Sequence, residues 1–95
     1  MLRVYGAFEE NDIIGTITTR SYGNHIALFF VSEKYQQHGI GKALFTRICH
    51  DNVSGKITVN SSPFAVPVHH KLGFTDIDTE QVTNGLRYTL MECRL

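Results

Sequence analysis

Apolar and polar residues alternate through the first third of the chain in short runs separated by turn formers, the pattern of paired strands. Leu2 to Phe8 predicts one strand. Ile13 to Arg20 predicts a second, with Thr16, Thr18 and Arg20 on one face. His25 to Val31 predicts a third, apolar at every position from Ile26 on. Such a run predicts a central strand buried on both faces. Glu9-Glu10-Asn11-Asp12 and Tyr22-Gly23-Asn24 read as turns, with Gly23 free to take positive φ. Connections this short make the three strands an antiparallel meander.

After Ser32 to His38 the period changes. Ala43, Leu44, Ile48 and Cys49 fall at helical spacing, predicting a helix from Gly41 to about Asn52, broken by Ser54-Gly55. Lys56 to Asn60 predicts a short strand with Ile57 and Val59 on one face. It follows a helical crossover and so should pair in parallel with the third strand. A second helix is predicted over about Ala65 to Leu72, with Pro67 in its first turn and Gly73 just past its end. Phe74 to Gln81 and Leu86 to Arg94 predict a hairpin around Thr83-Asn84-Gly85. The order β-β-β-α-β-α-β-β describes one α+β domain over residues 1–95, a mostly antiparallel sheet with one parallel junction.

Composition sharpens this picture. Leu, Ile, Val and Phe supply 28 of the 95 residues, above the roughly 20% below which chains stay disordered. Phe29, Phe30, Phe45 and Phe74 are core candidates. Nine basic residues balance nine acidic ones without clustering, which argues against a nucleic-acid partner. The longest apolar run, Ile26 to Val31, is far short of the ~18–20 residues of a membrane span. Residues Met1 to Glu10 lack the layout of a secretion signal. Cys49 and Cys93 therefore read as free thiols in a reducing compartment, the cytoplasm. The five histidines lack metal-ligand spacing. His69 and His70 point about 100° apart on a helix, so no metal is expected.

The segment Gln36-Gln37-His38-Gly39-Ile40-Gly41-Lys42-Ala43 carries the chemistry. Two glycines between a strand and a helix let the backbone approach a bulky ligand and aim successive N–H groups at it. The helix adds unpaired N–H groups and the positive end of its dipole. Together they suit a phosphate. A dinucleotide fingerprint would need glycine at Leu44. A Walker-type loop would need glycine at Gln36 and a hydroxyl at Ala43. Both fail, leaving Gln-x-x-Gly-x-Gly, or else an ordinary strand-to-helix turn.

This pattern resembles the acetyl-CoA pyrophosphate loop of the GNAT N-acetyltransferases, Gln/Arg-x-x-Gly-x-Gly/Ala. Leu28-Phe29-Phe30-Val31 resembles that family's central strand, and Ile57-Thr58-Val59-Asn60 its next one. Pro67 to Phe74 is similar to its helix ending in Leu-Gly-Phe, and Asn60 to Ala65 is close to one subgroup. The resemblance starts at the family's second strand; its usual first strand and two helices have no counterpart in these residues.

The resemblance implies direct transfer of an acetyl group from acetyl-CoA to an amine. Gln36 to Ala43 would hold the pyrophosphate. Pantetheine would lie between the third strand and Ile57 to Asn60, bonding Phe30 and Val31, with Asn60 also on CoA. His69 stands where many members carry a tyrosine general acid, four residues before Gly73. The alternatives are a turn cap for Asn60, a helix-terminal histidine for His69, and a non-catalytic acetyl-CoA- or CoA-binding module for the whole. Without the family's first strand and two helices, the resemblance implies an uncovered sheet edge and face, with Leu2, Val4 and Tyr5 as apolar contributors, which points to a homodimer or another partner surface.

Overall fold

A computed structural model describes residues 2–95. β1 (Arg3–Glu9), β2 (Asp12–Arg20) and β3 (His25–Val31) form the expected antiparallel meander. A single 3-10 turn, Glu33–Tyr35, leads to α1 (Ile40–Asp51). β4 (Lys56–Ser61) returns parallel to β3, and α2 (Val66–Lys71) follows it. The chain closes with β5 (Thr75–Asp76), β6 (Gln81–Thr83) and β7 (Leu86–Arg94). The main sheet runs β1-β2-β3-β4-β7-β5, with β6 paired to the far end of β7. This is the expected mixed α+β fold with one parallel junction.

Two expectations change in detail. Phe74 to Gln81 is not one strand. Only Thr75–Asp76 and Gln81–Thr83 pair with β7. Between them Ile77 N–H still reaches the Leu90 carbonyl of β7 at 2.8 Å, and beyond it the chain bonds to itself: Thr79 N–H donates to Asp78 Oδ1 at 2.7 Å and Gln81 Nε2 to the Thr79 carbonyl at 3.1 Å. Short polar side chains compete with a ladder in this way. The Asn84-Gly85 turn forms as read, both residues with positive φ, 52° and 79°.

The second change concerns β3. It is central in strand order, but it is not buried on both faces. Both helices pack on one face of the sheet. Leu44, Phe45 and Ile48 of α1 join Ile17, Ile26, Ile57, Val59, Phe74, Met91 and Cys93 in one core, with Val66 and Leu72 at its margin. Leu28 and Phe30 point to the other face and are 54% and 51% exposed. Val4 and Phe8 of β1 are also exposed. Phe30 is thus a surface aromatic, not a core residue.

The parallel junction positions the site. β3 and β4 are in register only at His25↔Thr58 and Ile26↔Val59. That end is clamped. Thr58 N–H donates to the Asn24 carbonyl at 2.8 Å, Asn52 Nδ2 reaches the Gly23 carbonyl at 3.0 Å, and Ser54 Oγ meets Asn24 Oδ1 at 2.6 Å. From Ala27 onward the two strands part, while β4 stays paired to β7 through Ser61↔Thr89. The β4-side edge of β3 is therefore open toward the end where α1 begins.

Candidate acetyl-CoA site

The opening ends in the loop singled out by the sequence. Tyr35 N–H closes the 3-10 turn onto the Ser32 carbonyl at 2.8 Å, and His38 N–H bonds Tyr35 at 3.3 Å. Gln37 and Gly39 both take left-handed φ, 67° and 81°. Left-handed residues alternating along a turn gather backbone N–H groups into a concave nest. Gln36 holds the loop to the strand, its Nε2 donating to the Val31 carbonyl at 3.2 Å. The Gln36 side chain thus has a structural partner of its own.

Helix α1 starts without a side-chain cap. Its N-cap is Gly39, which has no side chain to offer. The first N–H to find a helical acceptor is Ala43, bonded to the Gly39 carbonyl at 2.9 Å. The N–H groups of Ile40, Gly41 and Lys42 precede it and have no helical acceptor. The first turn carries no acidic residue, so the positive end of the dipole is not offset. Lys42 is exposed and adds a mobile positive charge.

The two glycines play different parts. A Cβ at Gly39 would meet nothing within 4 Å, so the demand for glycine there is its φ of 81°. A Cβ on Gly41 would point at Phe29 and Val31, 3.5 and 3.6 Å away, in ordinary contact. At Gly41 close packing against β3, rather than backbone conformation, sets the limit on size.

A cleft of about 420 Å³ runs from this loop between the two helices, lined by Lys42, Phe45, Thr46, Cys49, Lys71 and Leu72. Sequence reasoning missed Thr46 and Lys71 as part of it. The available signal was Lys71 beside Leu72-Gly73, but only the packing of α2 on α1 brings it to Lys42.

His69 lies at the same end of the sheet. It is 5% exposed, far from the helix-surface position open in the sequence. Its Nδ1 sits 2.7 Å from the Oγ of Ser61, the last residue of β4. Its ring stands 6.3 Å from Phe29 of β3 and 5.4 Å, edge on, from Phe74. Burial pushes the imidazole below its ordinary value, against the raising effect of the Ala65 carbonyl, and His70 acts in the same direction as burial. His69 is thus a neutral imidazole at pH 7. Ser61, 1% exposed, is a third residue that sequence reasoning missed, after Thr46 and Lys71. His70 turns outward to Asp76 Oδ1 at 2.7 Å.

The remaining candidates divide between the two faces. Phe30 and Asn60 are exposed on their strands, and Val31 is half-buried at the mouth of the loop. Asn60 pairs with Leu90 in the β4–β7 ladder. Burial raises the thiols of Cys49 and Cys93 above the ordinary range, which leaves them protonated and poor nucleophiles. Among the described residues no cluster of three or more His, Cys, Asp or Glu could hold a metal, and no helix is long and apolar enough to cross a membrane.

Solved structures share this architecture. A GCN5-related N-acetyltransferase from Rhodopseudomonas palustris superposes with TM-score 0.82 at 20% identity, over 99% of this chain and 62% of that one. An acetyltransferase from Bacillus cereus gives 0.80 at 23% identity, over 100% and 74%. Tetrahymena GCN5 gives 0.75 at 22%, over 98% and 68%. The chain thus spans about two thirds of the length of these structures. No curated protein sequence matches it. The GNAT acetyltransferase domain model matches residues 2–95, and the chain accordingly belongs to that family.

Proposed function

We propose that this chain transfers an acetyl group from acetyl-CoA to an amine by direct attack. The observation that carries the reading is the nest at Gln37–Gly39 running into an uncapped α1, at the open end of the β3–β4 junction. Its free N–H groups suit the pyrophosphate, held by the run Gln36 to Ala43. The pantetheine arm then has one direction to take, along the unpaired edge of β3 past Val31 and Phe30, with Asn60 facing it from β4. The adenosine end fits the cleft between the helices, where Phe45 and Leu72 offer apolar surface and Lys42 and Lys71 offer charge.

In the transfer, the amine nitrogen bonds to the thioester carbon and gives up a proton. The carbon–sulfur bond breaks, and the sulfur leaves with the bonding pair and takes a proton. Backbone N–H groups on the open edge of β3 are placed to polarise the carbonyl. His69 is the candidate to handle the proton. Burial lowers its pKa and so favours the neutral ring over the imidazolium. This reading places the protein in the cytoplasm, where both thiols stay reduced.

One observation favours a second reading. The burial of His69 behind Ser61 suits a module that binds acetyl-CoA without transfer. Thiol release from acetyl-CoA across an amine panel separates the two. Binding itself is tested with Lys42→Glu. An acidic residue in the first turn suits the helix dipole, by about 0.3–1 kcal/mol, but opposes an anionic ligand. Calorimetric titration should show acetyl-CoA affinity falling at least tenfold with an unchanged or higher melting temperature. Unchanged affinity in the folded variant would remove the loop from the site.

A further inference from the structure

We propose that Ser61 is a positioning residue for His69: it keeps the ring proton on Nδ1, so that Nε2 is the bare nitrogen that takes the proton of the attacking amine. The inference rests on the acetyl transfer proposed above and assigns the direction of proton flow within it. Along β4 the side chains of Ile57, Val59 and Ser61 alternate onto the core face. The first two are apolar, as that face requires. At the third position packing alone would favour another apolar residue, since a buried hydroxyl costs free energy unless it is bonded. Ser61 is buried and bonded twice. Its Oγ lies 3.2 Å from the Ser62 carbonyl and 2.7 Å from His69 Nδ1.

Those two contacts fix the tautomer. A hydroxyl has one proton and spare lone pairs, while a carbonyl can only accept. Both contacts are hydrogen bonds in one arrangement alone: Ser61 donates to the Ser62 carbonyl, and His69 Nδ1–H donates to Ser61 Oγ. In a neutral imidazole a proton on Nδ1 leaves the lone pair on Nε2. The ring is also aimed. β3 and β4 part beyond Ile26 and Val59, and His69 lies across the gap. Nδ1 is tied to the end of β4, the ring centre stands 6.3 Å from Phe29 of β3, and Phe74 meets the ring edge on. Nε2 has no hydrogen bond within the chain. Yet among the described residues Thr19 Oγ1 is the one side-chain polar atom buried without a partner, so Nε2 is not sealed in.

In the transfer the amine nitrogen bonds to the thioester carbon, and its N–H proton passes to Nε2. The imidazolium that results keeps its Nδ1–H on Ser61. When the carbon–sulfur bond breaks, the thiolate takes the proton from Nε2, and the ring returns to its starting form. Burial disfavours the charged ring, so it keeps Nε2 bare between turnovers and favours handing the proton on.

Nitrogen-15 magnetic resonance of the histidine-labelled chain reads the tautomer without any ligand. Comparison with His69→Phe picks out the signals of His69 among the five histidines. At neutral pH the ring should show a protonated Nδ1 and a bare Nε2. A bare Nδ1 with the proton on Nε2 overturns the proposal. Ser61→Ala should shift the ring toward Nε2–H and lower turnover at least about tenfold, with KM for acetyl-CoA within about twofold. Ser61→Thr keeps the hydroxyl and should restore the tautomer and most of the turnover. In a His69→Phe background Ser61→Ala should change turnover by no more than about twofold, because a residue that acts through His69 has nothing left to act on. Circular dichroism confirms that the variants fold. Wild-type turnover in folded Ser61→Ala, or a full tenfold loss in the His69→Phe background, overturns the role given to Ser61 and leaves acetyl transfer standing. A wild type that releases no thiol with any amine overturns the transfer and the base role with it.

Discussion

The β3–α1 junction and the His69 pocket lie at the same end of the sheet and are built in opposite ways. The junction is backbone: left-handed residues, spare N–H groups and a helix start without a side-chain cap. It is exposed, and little of its geometry depends on contacts with distant residues. The pocket is side chains: an imidazole between Phe29, Phe74 and Ser61, drawn from β3, the α2–β5 turn and β4. If it holds the proposed phosphate, a junction made of amides tolerates neutral changes in its side chains and fails when the backbone is bent or an anionic side chain is added. A buried polar pair tolerates backbone adjustment and fails when one partner or wall is removed.

Each region can be broken without the other. Phe74→Ala should have the largest effect. Phe74 is 2% exposed and packs on Phe45 at 5.3 Å between ring centres as well as on His69. Urea denaturation should show a loss of about 3–5 kcal/mol, a large share of a small domain's stability. A loss under 1 kcal/mol would mean that the pocket wall collapses without cost.

His69→Phe comes next. It keeps the ring and removes the proton carrier. General acid–base catalysis is worth about 10²–10⁴-fold, so turnover should fall at least tenfold while acetyl-CoA binding stays intact. Wild-type turnover would leave His69 as packing. The same variant tests the pH response. The folded pKa of His69 lies below the unfolded value, so below about 6.5 the unfolded chain takes up protons first. Stability is therefore full above that pH and declines as pH falls toward the folded pKa. His25, also lowered by burial, adds to the decline. Denaturation between pH 7 and 5 should show a shallower decline in His69→Phe than in wild type, though not a flat one.

Ser61→Ala should cost about 1–3 kcal/mol by leaving a buried imidazole nitrogen unpaired. Ser61→Thr, which keeps the hydroxyl, should recover part of the loss. On the junction side the stability effects are smaller. Gly39→Ala forces a side chain into a left-handed position and should cost about 1 kcal/mol. It should also lower acetyl-CoA affinity, as titration would show. Gly41→Ala, in ordinary contact with Phe29 and Val31, should raise stability by a few tenths of a kcal/mol up to about 1. Should it instead destabilise as much as Gly39→Ala, the division of labour between the two glycines fails.

What the sequence determined by itself is local. Alternation set β1, β2 and β3, helical spacing set α1, and Asn84-Gly85 set the last hairpin, because each depends on neighbours a few residues apart. The turn at Gly39 was legible for the same reason: Gly39 and the helix start are adjacent in the chain, and their conformation is that of the backbone. Tertiary structure decided the rest. The apolar run of β3 said nothing of which face the helices would cover, so Phe30 came out exposed. Lys42 and Lys71 share a cleft only because α2 packs on α1. The ring of His69 is buried and neutral because Ser61, Phe29 and Phe74 converge on it from separate elements, and burial, charge state and hydrogen-bond partner are properties of that convergence.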